Sequence, residues 1–228
     1  MEVRAMEGKP IPFDAPVTVV GGGPFDRAAL AEARALGPSV VAADQAADRL
    51  AALGERPDLV VGDLDSIGNA EAWRQSGVRV LHLTEQDTTD FEKCLYATEA
   101  PLYLAVGFTG GRIDHGMAVL HAMLARPEKR VILVGEQEAA ALIPPGRRLA
   151  VVVTPGSTVS LFPLAGTRGT HSEGLRWSVD GLTLRAGRQI GTSNIADAPE
   201  IAVAVDRPGA LLTVERSALA ALAEALRD

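Results

Sequence analysis

Short apolar runs punctuate the first two thirds of the chain, each ending near glycine or aspartate. VTVVG is a short apolar run of the kind a buried parallel strand shows, and SVVAAD, PDLVVGD, VRVLHL, PLYLAVG and RVILVG read as five further strands. Between them apolar residues recur every three to four positions. This predicts helices over residues 26–36, from a cap at Asp44 to about Gly54, over GNAEAWRQSG, over DTTDFEKCLYATEA and over residues 112–125. Thr89-x-x-Glu92 is a capping box at the start of the fourth helix. Strand-helix alternation of this kind predicts a mostly parallel sheet with helices on both faces.

Near IPPGRR the pattern changes. LAVVV, TVSLFPL, LRWSV, LTLRA, QIGTS, IAVAV and ALLTV are short runs separated at close intervals by the turn sequences PGS, AGTRG, VDG and RPG. Such spacing predicts an antiparallel sandwich or barrel. The expected organisation is an α/β domain over residues 1–145 and a β-sandwich domain over residues 146–228. A helix is expected to close the chain over residues 217–227, and the first sixteen residues, with Pro10, Pro12 and Pro16, form a loose arm.

The 228 residues are 47% hydrophobic and 22% charged, as in ordinary globular proteins. A net charge of -7 leaves no basic excess for phosphate backbones and argues against general nucleic-acid binding. No apolar run has membrane-spanning length, and the start lacks the core of a signal peptide. Cys94 is the only cysteine, which excludes an internal disulfide. These features predict a cytoplasmic protein.

Four stretches follow predicted parallel strands, so each belongs at the carboxyl edge where open α/β sheets bind ligands. In GGGPFD, Gly22 and Gly23 suit either a phosphate loop or a tight turn; the stretch matches neither a Walker A motif nor a dinucleotide fingerprint. In GDLDS, extended backbone would turn Asp63 and Asp65 to one side with Leu64 facing the core. Two close carboxylates favour a hard cation such as Mg²⁺, although one acid could equally cap a helix and the other be solvated. QDTTDFEK sets Asp87 and Asp90 three apart at a helix start, with Lys93 a turn further on; acids there also suit the helix dipole. GGRIDH brings Gly110, Gly111, a phosphate-forking Arg112, Asp114 and His115 together, or else carries a solvated Arg–Asp pair. Taken together, five aspartates, a glycine loop, an arginine and a lysine on one edge suit Mg²⁺-nucleotide chemistry.

GDLDS, QDTTDFEKCL and GGRIDH, in that order, followed by GLRW (residues 174–177) and TSN (residues 192–194), resemble the thiamine pyrophosphokinase family across both domains. The resemblance implies transfer of a pyrophosphoryl group from ATP to the hydroxyl of thiamine, giving thiamine diphosphate and AMP with Mg²⁺. It implies an α/β domain followed by a β-sandwich. It also implies a homodimer, with thiamine held between the α/β domain of one subunit and the β domain of the other. By motif, Asp63, Asp65, Asp87, Asp90 and Asp114 would handle metal, and Asp65 or Asp90 would accept the hydroxyl proton. Arg112 and Lys93 would stabilise the transferring oxygens. Gly22, Gly23, Asp44, Gly110, Gly111, Arg112, Asp114 and His115 would serve ATP. Gln86, Thr89, Trp177, Ser193 and Asn194 would serve thiamine. Gln45 and Ala46 replace two family glycines after Asp44, and Gly191 stands where relatives can have serine. Weighed beside this are a pyrophosphokinase for another heterocyclic alcohol, a non-catalytic thiamine or nucleotide sensor, and a plain dinucleotide-binding enzyme.

Overall fold

The structure is a computed structural model that describes residues 9–65, 67–68 and 70–227. Ser66 of GDLDS and the first half of the arm lie outside the described residues. The chain divides into two compact units, Met1–Ala122 and Met123–Asp228.

In order, the first unit holds strands β1 (Ile11–Pro12) and β2 (Val17–Val20), helix α1 (Arg27–Leu36), β3 (Ser39–Ala43), α2 (Ala46–Ala52), β4 (Leu59–Gly62) and α3 (Ala70–Gln75). Then come β5 (Arg79–His82), α4 (Asp90–Ala97), β6 (Thr98–Glu99), β7 (Tyr103–Val106) and α5 (Ile113–Ala125), which runs across the division. The pairings are parallel, as the unbroken apolar runs predict: β3 with β4, β4 with β5, and β2 with β7. Every residue of β2, β4 and β7 is buried. Val20, Val40, Val60, Leu30 and Leu50 meet in one apolar cluster, against which Phe25, Leu64 and Trp73 pack. Removing a side chain such as Leu50 from water stabilises by about 1.5–3 kcal/mol.

Local chemistry sets the helix starts. Asp26 caps α1 by accepting from Ala29 N. Thr89 and Glu92 form the expected capping box on α4. Asp44, expected to cap α2, does not: Gln45 occupies the cap position, no side chain bonds there, and Asp44 turns elsewhere at φ 45°. Helix α4 is also shorter than its apolar spacing predicts. The Thr98 hydroxyl bonds back to Cys94 O at 2.6 Å, and the chain leaves as β6. That strand pairs in parallel with β1, so the described end of the arm is fastened rather than loose, with Phe13 N donating to Glu99 O at 2.7 Å.

The second unit runs β8 (Val131–Val134), β9 (Glu138–Leu142), β10 (Leu149–Val152), β11 (Thr158–Pro163), β12 (Thr167–Glu173), β13 (Thr183–Leu184), β14 (Gly191–Ile195), β15 (Glu200–Val205), β16 (Ala210–Glu215) and α6 (Leu219–Arg227). Antiparallel pairing joins β8, β9, β16, β11 and β14 in that order, and β10, β15, β12 and β13 in a second series. The closing helix α6 stands where its alanine- and leucine-rich sequence predicts.

Three elements differ from expectation. EAAAL, too alanine-rich to read as a strand, becomes β9 because β8 and β16 pair with both its edges. Part of the expected AGTRG turn starts the seven-residue β12, whose buried positions are Thr167 and Gly169 rather than large apolar side chains. LRWSV is not a ladder strand; Leu175 makes only an isolated bridge to Ala196.

Candidate active site

Loops following five strands of the first unit line one cleft of about 590 Å³: Gly22 and Gly23 after β2, Gln45 after β3, Asp63 after β4, Gln86, Thr89 and Asp90 after β5, and Gly110, Gly111, Arg112 and His115 after β7. The volume falls in the range of small-molecule sites. Phe91 and Phe108, with ring centroids 4.6 Å apart, supply an apolar wall.

At one side of this cleft Asp44, Asp63 and Asp65 bring carboxylate oxygens within 4.8 Å of one another. Asp63 and Asp65 converge as expected, but not through strand alternation. β4 ends at Gly62, and Leu64 adopts φ 63°, a left-handed conformation that costs a bulky residue on the order of 1 kcal/mol or more. The turn is fastened by Asp65 N donating to Asp63 Oδ1 at 3.4 Å, and Leu64 still packs on the core cluster. Asp44 joins from the neighbouring strand because Gly62 leaves room for it: a β-carbon at position 62 would sit 2.7 Å from the Asp44 β-carbon. The sequence assigns Asp44 to a helix cap and, through the family resemblance, to the nucleotide, and not to the metal. The signal that could have placed it in the triad is that it follows β3 just as Asp63 follows the adjacent β4.

Electrostatics mark this as an incompletely satisfied acidic site. Asp44 is buried, and among the described residues its Oδ1 has no hydrogen-bond partner. Burial pushes its carboxyl above the ordinary range, and the charges of Asp90, Asp63 and Asp65 push the same way. Burial raises Asp90 as well, against the pull of Lys93. Asp63 is instead held low by the Gln86 amide, whose Nε2 donates to Oδ2 at 2.7 Å, with the Lys93 charge adding to the effect. Lys93 is itself only 2% exposed, with Nζ 3.5 Å from Asp63 and 3.4 Å from Asp90. Three gathered carboxylates, one with a buried unpartnered oxygen, fit a hard divalent cation such as Mg²⁺.

Other candidate residues have different settings. Asp87 is exposed and does not line the cleft. Asp114 is exposed and grips Arg112 through two bonds, at 3.1 and 2.6 Å, which hold its carboxyl down at about 2. The Thr89 hydroxyl is committed to the α4 cap, donating to Glu92 Oε2 and accepting from Glu92 N. The glycines of GGGPFD answer a steric demand: β-carbons at Gly21 and Gly23 would lie 2.6 and 2.7 Å from Gly107 O. Their N–H groups donate to Val106 O and Gly107 O. The carbonyls of Gly22 and Gly23 accept from Arg49, whose guanidinium stacks 4.2 Å from the Phe25 ring centre.

In the second unit Trp177 is 56% exposed, so it is not a core aromatic. Ser193, at φ 58°, sits where the pairing of β11 and β14 shifts register. This bulge leaves Ser193 exposed and turns Asn194 inward. The buried Asn194 amide bonds the backbone of Trp177 on both its N–H and C=O sides.

The family model described as the catalytic domain of thiamin pyrophosphokinase matches residues 36–134, and the one described as its vitamin B1 binding domain matches residues 148–209. The chain belongs to the thiamine pyrophosphokinase family. Thiamine pyrophosphokinase 1 of Arabidopsis thaliana is 30% identical over 167 residues, which span 66% of this chain and 62% of that protein. Thiamine pyrophosphokinase 1 of Oryza sativa subsp. japonica is 28% identical over 66% of this chain and 63% of its own length. The chain therefore matches less than two thirds of the length of these plant thiamine pyrophosphokinases. Among solved structures, the thiamin pyrophosphokinase of Geobacillus thermodenitrificans superposes with a TM-score of 0.71 at 24% identity, over 88% of this chain and 96% of that one. The Candida albicans thiamin pyrophosphokinase gives 0.75 at 14% identity, over 93% and 95%. At these identities the structures establish the thiamine pyrophosphokinase fold: parallel α/β elements together with a separate antiparallel sheet.

Proposed function

We propose that the protein transfers a pyrophosphoryl group from ATP to the hydroxyl of thiamine, producing thiamine diphosphate and AMP. The observation that carries this reading is the Asp44–Asp63–Asp65 triad beside a nucleotide-sized cleft in a chain of this family. In functional terms residues 1–145 hold ATP and metal, and residues 146–228 serve thiamine.

Asp44, Asp63 and Asp65 would hold Mg²⁺, which when bound neutralises charge on the triphosphate. Gln86 and Lys93 keep Asp63 ionised and aimed at the triad. Arg112 lines the cleft already oriented by Asp114, and its remaining N–H groups would steady the transferring phosphoryl oxygens. Asp90 lines the cleft outside the triad, where it would accept the proton of the attacking thiamine hydroxyl. The hydroxyl oxygen forms a bond to the β-phosphorus, the bond to the α-phosphate oxygen breaks, and AMP leaves. In this reading the chain is a cytoplasmic homodimer, with Trp177 and Ser193 on the thiamine side.

The test is incubation of the protein with ATP, Mg²⁺ and thiamine, followed by chromatography. AMP and thiamine diphosphate in equal amounts are expected. ADP with thiamine monophosphate would sink the pyrophosphoryl assignment.

A further inference from the structure

Residues 174–177 lie antiparallel against residues 194–197. Asp197 N donates to Gly174 O at 2.8 Å, Leu175 bridges Ala196, and Arg176 N donates to Ile195 O at 2.9 Å. One residue later, at Trp177, the backbone partner is a side chain. Asn194 Oδ1 accepts from Trp177 N at 3.1 Å and from Ile195 N at 2.9 Å, while Asn194 Nδ2 donates to Trp177 O at 2.7 Å. A primary amide carries the same donor and acceptor as a peptide group, so Asn194 continues the ladder by one step without a strand. Asn194 is 4% exposed, and three of its four hydrogen-bonding positions are thereby used inside the protein.

The indole ends up outside this buried clamp. Trp177 is 56% exposed, yet its backbone is held at both polar atoms, and the Arg176 guanidinium lies 5.8 Å from its ring centre. Arg176 is pinned in turn by Asp197 at 2.8 Å. An exposed aromatic with an immobilised backbone is preorganised to stack on a flat ligand, because less motion is lost on binding.

We propose that Asn194 is a positioning residue for Trp177 and not a contact to substrate. The ligand is a flat cationic heteroaromatic ring, and the inference rests on the thiamine reading above. Asn194 acts through the indole: it fixes where the ring stands, and Trp177 meets the ligand.

Trp73 and Trp177 are the only tryptophans, so Trp73→Phe gives a background in which emission comes from Trp177 alone. In that background Asn194→Ala should lower the emission anisotropy of Trp177 and raise its quenching by acrylamide. The KM for thiamine should rise about ten-fold, the scale of one or two lost hydrogen bonds, with kcat changed less than about two-fold. Asn194→Ser keeps a short uncharged polar group at this buried position but cannot span both Trp177 polar atoms, and should show the same changes to a smaller degree; it carries the test if the alanine variant does not fold. A raised KM with unaltered anisotropy and quenching in both variants would overturn the proposal in favour of direct contact. Unaltered fluorescence and kinetics would overturn it outright. If the parent protein turns over no thiamine, the functional reading fails, while the anisotropy of the two variants still decides whether Asn194 fixes Trp177.

Discussion

Gly62 and Asp44 share one space: the missing side chain of the first admits the carboxylate of the second. Gly62→Ala would place a methyl 2.7 Å from the Asp44 β-carbon and 3.0 Å from its Oδ1. The expected result is a loss of about 1–3 kcal/mol in unfolding free energy, as for overpacking. Mg²⁺-dependent turnover should fall with it, since Asp44 is pushed out of the triad. Urea unfolding and a metal titration check the two effects separately, and unchanged values in both would show that the contact relaxes freely.

Asp44→Asn should separate stability from function. A buried carboxyl raised by burial and by three neighbouring acids disfavours the folded state at neutral pH. In chelator, the variant should therefore unfold at a higher urea concentration than the parent. With Mg²⁺ restored, turnover should be lower by at least about 100-fold. A destabilised variant in chelator would mean that Asp44 holds the fold together rather than straining it.

Lys93→Met removes the counter-charge shared by Asp63 and Asp90. Breaking a fully buried pair costs about 3–5 kcal/mol; because Asp90 is 41% exposed, about 2 kcal/mol is expected here. The loss should be largest at neutral pH, where both acids are ionised. Denaturant curves at pH 7 and pH 4 measure it, and equal losses at both would assign the effect to packing alone.

Asp206 supplies a pH dependence remote from the cleft. Its carboxylate accepts from Arg168 N at 2.8 Å and from the Thr167 hydroxyl at 3.0 Å, and the Arg168 N–H bond is the main cause that holds its pKa below the ordinary value. A lowered folded-state pKa contributes stability that is present above the unfolded value, near 4, and is lost as pH falls through the folded value. Asp206→Asn should therefore unfold more easily than the parent at pH 7. The two should converge as the pH is lowered below about 4, which thermal melts across that range would reveal.

Where a rule acts locally, the chain announces it. Val60 and Val61 sit in an unbroken apolar run and are buried in β4; Thr89 and Glu92 are three apart and form the capping box. Asp63 and Asp65 were visible as a pair for the same reason. Asp44 was not visible as their partner, because that contact depends on β3 lying beside β4 and on Gly62 across from it. Local spacing offered it a helix cap instead. The left-handed turn at Leu64 runs against the preference of leucine, so no propensity could signal it. Strands β9 and β12 were hidden because alanine, glycine and threonine fill positions whose burial is set by neighbours distant in sequence. The TSN stretch was visible as a motif, but the bulge that sends Ser193 outward and Asn194 inward was not.

The loop after β2 turns its glycine carbonyls toward Arg49 and spends the N–H groups of Gly21 and Gly23 on neighbouring backbone. Lys93 and Arg112, the cations that line the cleft, are engaged by acids. A bare triphosphate entering here would meet like charge with little to receive it. If the proposed reaction holds, the cleft should favour chelated over free nucleotide, and saturation would track the concentration of the chelate rather than total nucleotide. Excess unchelated ATP would then be a poor competitor.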